Sequence, residues 1–259
     1  MTPPPCRRMG RHCHALAVTL HVGTLEGGPE AADHEATWLL GHTERIDFTS
    51  LWTHDGDVYA EAVIHVPCRH LQLDDRGRAR CAAHGFRGPV PPVPRRRPQP
   101  RQLGGDRFRV VERAKVVDRR LPAPTRMLPV IGTAPESANP CAGVPCRTSD
   151  HRPGAACCRD LQIEIMCDED DTTLEALVRH RRPPLLCRVE REGKFSLAAE
   201  VISACGYLEA GGVDCTLHGR KRGDGRTAKP ALCFDWPPKR LKIHKGCAFA
   251  SRAQRKMWD

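Results

Sequence analysis

Four cysteines crowd one short stretch of the chain, Cys141, Cys146, Cys157 and Cys158, spaced C-x4-C-x10-C-C. Core packing does not call for thiols at this density. Adjacent cysteines can hardly bridge each other without strain, so each needs a partner elsewhere, a disulfide or a metal. Downstream lie Cys205, Cys215, His218 and Cys233, again with loop-like gaps. The two groups read as one metal-binding cluster. Thiolates are soft ligands that suit zinc and iron–sulfur clusters, and a zinc site closes with four Cys or His ligands, commonly from short-spaced pairs. These seven cysteines and one histidine would serve two such sites, or one iron–sulfur cluster with thiols to spare. His218 competes with seven thiols and reads more readily as a loop residue than as a ligand. Cys167, Cys187 and Cys247 fall outside the pattern and read as ordinary thiols.

The bulk composition explains why such a chain needs a metal. Its 259 residues include 23 prolines and only 5% aromatics, which favours small cores over one large one. Small cores are commonly stapled by disulfides or metals, and the chain has 14 cysteines and 13 histidines. In a secreted protein that count suggests disulfides; in a reducing cytosol it suggests metal. The run Ala15 to Leu20 behind Arg7, Arg8 and Arg11 superficially resembles a signal peptide, but it is short, abuts His12 and His14, and lacks a small-x-small cleavage site. No stretch approaches the roughly 18 apolar residues of a membrane span. The expectation is a cytoplasmic protein with no membrane association. The net charge of +10 is concentrated in residues 86–126 and 218–259, which raises nucleic acid as a partner for the basic tail.

The elements that would hold these residues can be read in order. Residues 1–45 show no sustained period and are expected to be poorly ordered. Ile46, Phe48 and Trp52 lead to His54-Asp55-Gly56-Asp57 and then to Val58, Ala60, Ala62 and Ile64, a β-hairpin with a D-G turn. It delivers the chain to Cys68-Arg-His70-Leu71 and to Cys81-Ala-Ala-His84-Gly85. A proline–arginine tract fills residues 86–105 and a second linker covers 121–139. Leu161, Ile163 and Ile165 alternate as a strand, and acidic Asp168 to Asp171 precede a helix with Thr172 and Glu175 at capping-box spacing and a Leu174, Leu177, Val178 stripe. After Pro183-Pro184 a second hairpin runs through Leu185 to Glu190, turns at Glu192-Gly193 and returns through Phe195, Leu197, Ala199 and Val201.

The two hairpins repeat. A shift of 137 residues places Gly56 on Gly193, Ile64 on Val201, Cys68 on Cys205 and Leu71 on Leu208. A loop three residues shorter then places Cys81 on Cys215, His84 on His218 and Gly85 on Gly219. The shared unit is a hairpin, C-x2-L, a loop and C-x2-H-G, which reads as an internal duplication. The second copy alone has the four-cysteine run before it and Cys233 after it; the first has only Cys6 and Cys13 upstream. The fold expected is α+β, small, irregular and metal-stapled, with two hairpin-based repeats and few helices. The domains expected are a hairpin unit at 46–120, a cysteine-cluster domain at 140–240 and a basic tail at 241–259.

The pair Cys141 and Cys146, the doublet Cys157-Cys158, Cys205-Gly-Tyr-Leu208, Cys215-Thr-Leu-His218 and Lys229-Pro-Ala-Leu-Cys233 together resemble the zinc- or iron-chelating cysteine-cluster proteins of bacteria (YkgJ type) over about residues 139–236. That resemblance implies a metal-chelating domain. In the first copy, Cys68-x-His70 and Cys81-x-x-His84-Gly85 resemble the two halves of a Rieske iron–sulfur site, in which two His and two Cys share the irons. A zinc site from the same four residues, or no metal there, are the alternatives. The leading expectation is a metal-binding protein, holding zinc or iron, with a non-enzymatic or accessory role beside an unidentified protein partner. The alternatives are an iron–sulfur electron-transfer protein and a zinc-ribbon-like nucleic-acid binder. Gly-rich phosphate loops, G-x-S-x-G and H-E-x-x-H are absent from the sequence, which argues against nucleotide enzymes and common hydrolases.

Overall fold

The computed structural model describes residues 10–24, 38–85, 88–91, 146–148, 151–152, 154–209, 214–221, 229 and 233. Strands dominate; the helices are few and short. Among the described residues no helix is long and apolar enough to cross a membrane. Two compact units divide the chain: Met1–Val22, Arg45–Ala114 and Gln162–Val201 form the first, and Gly23–Glu44, Lys115–Leu161 and Ile202–Asp259 form the second. The sequence reading expects consecutive domains at 46–120 and 140–240, whereas each unit takes segments from both halves of the chain. Residues 92–145, which include the expected linker 121–139, and the expected basic tail 241–259 lie outside the described residues.

A short helical turn α1 (Arg11–His14) leads into strand β1 (Leu16–Thr24), followed by the hairpin β2 (Ile46–His54) and β3 (Asp57–Ile64). A small two-stranded ladder, β4 (Leu71–Leu73) with β5 (Ala79–Cys81), comes next. The second half supplies β6 (Asp160–Met166), helix α2 (Thr172–Arg179), β7 (Leu186–Arg191) and β8 (Ser196–Ile202). The large sheet has the order β2-β3-β1-β6-β8-β7, so each half sets its hairpin outside its own inner strand. The inner strands β1 and β6 pair antiparallel, with Thr19 opposite Met166, Leu20 opposite Ile165 and His21 opposite Glu164.

Local chemistry accounts for each element. The hairpin turn at Asp55-Gly56 has positive φ at both positions, 49° and 84°, the geometry of the tight turns that Asp-Gly favours. In β1 the alternating Leu16, Val18 and Leu20 are buried, to 1%, 1% and 0% exposure. This strand falls inside residues 1–45, where the sequence suggests poor order: its apolar run is short and hemmed by His and Arg, so the period-2 signal barely registers. Helix α2 buries Leu174, Leu177 and Val178, and its first turn is capped by Asp171, whose side chain accepts from the Leu174 amide at 2.9 Å. The cap thus sits one residue before the expected Thr172, because a carboxylate is a strong acceptor for a free helix amide and suits the helix dipole.

Arg181, 1% exposed, holds the first unit together just after α2. Its guanidinium donates to the carbonyls of Leu177 at 2.9 Å, Val66 at 3.2 Å and His12 at 2.8 Å. Three separate segments thereby share one cation. Replacing it with an apolar side chain leaves those buried carbonyls short of donors, at about 1 kcal/mol or more each. Arg181→Met is therefore expected to lower unfolding free energy by about 3 kcal/mol in denaturant titration, while Arg179→Met, which breaks an exposed pair with Glu175 and an exposed bond to Val189 O, costs about 1 kcal/mol. Equal losses in the two variants would contradict this assignment.

The centre of the sheet carries a polar pair. His21 Nδ1 lies 2.8 Å from Glu164 Oε2 on the neighbouring strand, and His21 Nε2 lies 3.4 Å from Asp57 Oδ1. The hydrogen bond to Glu164 raises the His21 pKa above 6.5, and the same bond lowers that of Glu164 below 4.5. The histidine's contribution is complete below about pH 6.5 and is lost as pH rises through its raised pKa. The carboxylate's contribution is complete above about pH 4.5 and is lost as pH falls through its lowered pKa. His21→Gln should therefore cost most, about 1 kcal/mol, between pH 4.5 and 6.5, and least above the raised pKa. A cost independent of pH would refute the ion pair.

Candidate metal centre

In the second unit, backbone geometry gathers the cysteines before any side chain is considered. A 3-10 turn, Ala156–Cys158, is entered through Ala155 at φ 43° and tied by the Cys158 amide donating to Ala155 O at 2.9 Å. After β8 the Cys205 amide donates to Cys158 O at 2.7 Å, which sets these two cysteines side by side. The Leu208 amide turns back onto Cys205 O at 3.0 Å, and Leu208 bridges Cys215 in antiparallel fashion. The Thr216 amide donates to Tyr207 O at 2.8 Å and the His218 amide to Cys215 O at 2.9 Å, with Gly219 at φ 71° closing the turn. His42 is 1% exposed in the same unit, with Nδ1 2.8 Å from Trp38 O. Burial pushes its pKa down to about 4, so it stays neutral.

Four thiols in this unit sense one another. The Cys158 pKa is lowered, first by a hydrogen bond from Cys157 and then by the charges of Lys229 and Arg159. Burial pushes Cys205 and Cys233 up to about 12 and raises Cys215, and in all three the negative Cys158 adds to the effect. Cys205 and Cys215 in turn raise Cys233. The arrangement is one thiolate-prone sulfur with three partly buried thiols near it, each opposing ionisation of the next. A divalent cation among them would reverse that opposition, since coordination deprotonates a thiol outright.

The first unit repeats the same scaffold with other side chains. The Cys13 amide donates to Gly10 O at 2.9 Å, the Cys68 amide to Cys13 O at 2.8 Å, the Leu71 amide to Cys68 O at 3.0 Å and the Ala82 amide to His70 O at 2.8 Å. Leu71 pairs with Cys81, and Gly85 closes the turn at φ 63°. Cys13, Cys68 and Cys81 are thus the counterparts of Cys158, Cys205 and Cys215. They are buried in an apolar cluster with Leu71 and Val90.

Of the residues expected from sequence, the structure gathers Cys158, Cys205, Cys215 and Cys233, with Cys157 bonded to the first. Cys146 is buried, and its carbonyl accepts from the Gly154 amide at 2.9 Å, on the segment that leads to the doublet. His218 is partly buried at the end of the C-x2-H turn, and Cys141 lies outside the described residues. Cys68 and Cys81 pack together, while His70 turns to His180, with Nε2 3.2 Å from Nδ1; His84 ends the 3-10 turn Ala82–His84. Cys167 is buried and Cys187 partly buried, and none of the eleven described cysteines is in a disulfide.

Two residues of interest, Cys13 and His180, escape the sequence reading. Extending the repeat upstream finds the first, because Cys13 precedes Leu16 by the same three residues that separate Cys158 from Leu161. Nothing local announces His180, which reaches His70 across 110 residues of chain. Among the described residues no group of three or more His, Cys, Asp or Glu side chains is already closed to metal-holding distance. Four thiolates 2.3 Å from a common ion stand about 3.8 Å from one another, so closing the set to that spacing is the step a cation would drive. Comparison with known proteins finds no family model, curated protein or solved structure that matches the chain.

Proposed function

We propose that this is a metal-binding protein whose second unit holds zinc or iron on Cys158, Cys205, Cys215 and Cys233, in an accessory rather than catalytic role. The observation that carries the reading is the mutual effect of four partly buried thiols, with Cys158 held toward the thiolate by Cys157 and Lys229. Apolar packing alone would not select four cysteines from separate loops, nor a lysine beside them. The ligand set is soft and suits zinc, or iron as a rubredoxin-like ion or iron–sulfur cluster. Cys157 bonds to a ligand sulfur and positions it, as outer-shell partners do at metal sites. The resemblance to cysteine-cluster chelating proteins points the same way, through the same residues.

Metal analysis of anaerobically purified full-length protein tests this. Cys205→Ser and Cys233→Ser should each lose most of the bound metal, whereas Cys167→Ser and Cys187→Ser should retain it. A colourless preparation identifies zinc and a brown one identifies iron–sulfur. Equal metal content in all four variants would place the site elsewhere.

A further inference from the structure

The first unit keeps the scaffold of the thiol site but not its ligand chemistry. Where the second unit has Cys233, the first packs Val90 against its three cysteines, with the Val90 amide donating to Ala79 O. Where the second unit has Tyr207 and Gly41, the first has His70 and His180. The correspondence is fixed by matching backbone bonds: the Gly206 amide donates to Gly41 O at 2.8 Å, and the Arg69 amide donates to His180 O at 2.9 Å. Both units thus bring the same two backbone positions together, but only the first puts an imidazole on each.

We propose that His70 and His180 form a second metal site, for a borderline divalent transition-metal ion, completed by water. His70 Nε2 and His180 Nδ1 stand 3.2 Å apart, with ring centroids 5.1 Å apart and planes at 46°. An ion 2.0–2.1 Å from both nitrogens subtends about 100° across that gap, between tetrahedral and octahedral angles. The pair is rigid on both sides. The His180 carbonyl is held by Arg69, the His70 carbonyl accepts from Ala82, and the adjacent Arg181 is buried under three carbonyls. Burial and the charge of Arg69 lower both pKa values below 6.5, which keeps the rings in the neutral form that ligates metal. The Arg69 charge also opposes a cation, so affinity should fall short of a buried structural site. Imidazole donors suit nickel, copper and zinc. The site stands independently of the thiol centre.

Nickel titrated into the full-length protein tests the proposal, followed by calorimetry and by nickel-shifted imidazole proton resonances. One equivalent should bind, weakened about tenfold or more by His70→Ala and by His180→Ala, and retained in Cys205→Ser and Cys233→Ser. Where an alanine variant loses the wild-type circular dichroism, His70→Gln or His180→Gln replaces it. Absence of nickel binding would overturn the proposal. So would binding that survives both histidine substitutions, or that is lost only with the cysteines. Failure of the thiol centre appears separately, as unchanged metal content in the cysteine variants.

Discussion

In each unit the carbonyl of one cysteine accepts the amide of another, Cys158 from Cys205 at 2.7 Å and Cys13 from Cys68 at 2.8 Å. The remaining local geometry depends on this bond. It joins the turn before an inner strand to the end of the hairpin, although the two cysteines are distant in sequence. Once it is made, the C-x2-L turn and the C-x2-H-G turn follow by short-range bonds, and a third cysteine arrives beside the first two. Three sulfurs are thus assembled by backbone chemistry that either unit performs. A fourth ligand decides what the assembly becomes. Cys233 makes the second unit a thiol centre, and Val90 makes the first an apolar cluster.

A second constraint explains why the units interleave. Beside the paired cysteines of each unit stands a buried residue from the opposite half of the chain. In the first unit it is Arg181, bonded to His12 O and Val66 O. In the second it is His42, whose carbonyl accepts from Ser203 Oγ at 2.7 Å. Each side chain also bonds the carbonyl four residues behind it, Leu177 for Arg181 and Trp38 for His42. A fragment covering 46–120 would therefore lack both Cys13 and Arg181, and with them two of the ties that hold Cys68.

The hairpins, their D-G and E-G turns and the C-x2-L and C-x2-H-G pattern are legible in the sequence because they are local. Alternation, glycine at positive φ and fixed spacing all act within a dozen residues. β1 is not legible, because its short apolar run is flanked by charges and its stability comes from β3 and β6 on either side. The thiol set is legible as a list, but which sulfurs meet is decided by long-range bonds. Cys146 is tied by its carbonyl to Gly154 on the approach to the doublet, while Cys233 joins from 75 residues beyond Cys158. The His70–His180 contact depends entirely on the exchange of segments, so no spacing rule could reveal it.

The central claim is that four sulfurs of the second unit share one metal centre. X-ray absorption at the metal edge of anaerobically purified, full-length protein measures this directly. The account predicts a first shell of four sulfur scatterers, at about 2.3 Å if the metal is zinc. A first shell of nitrogen and oxygen without sulfur would contradict it.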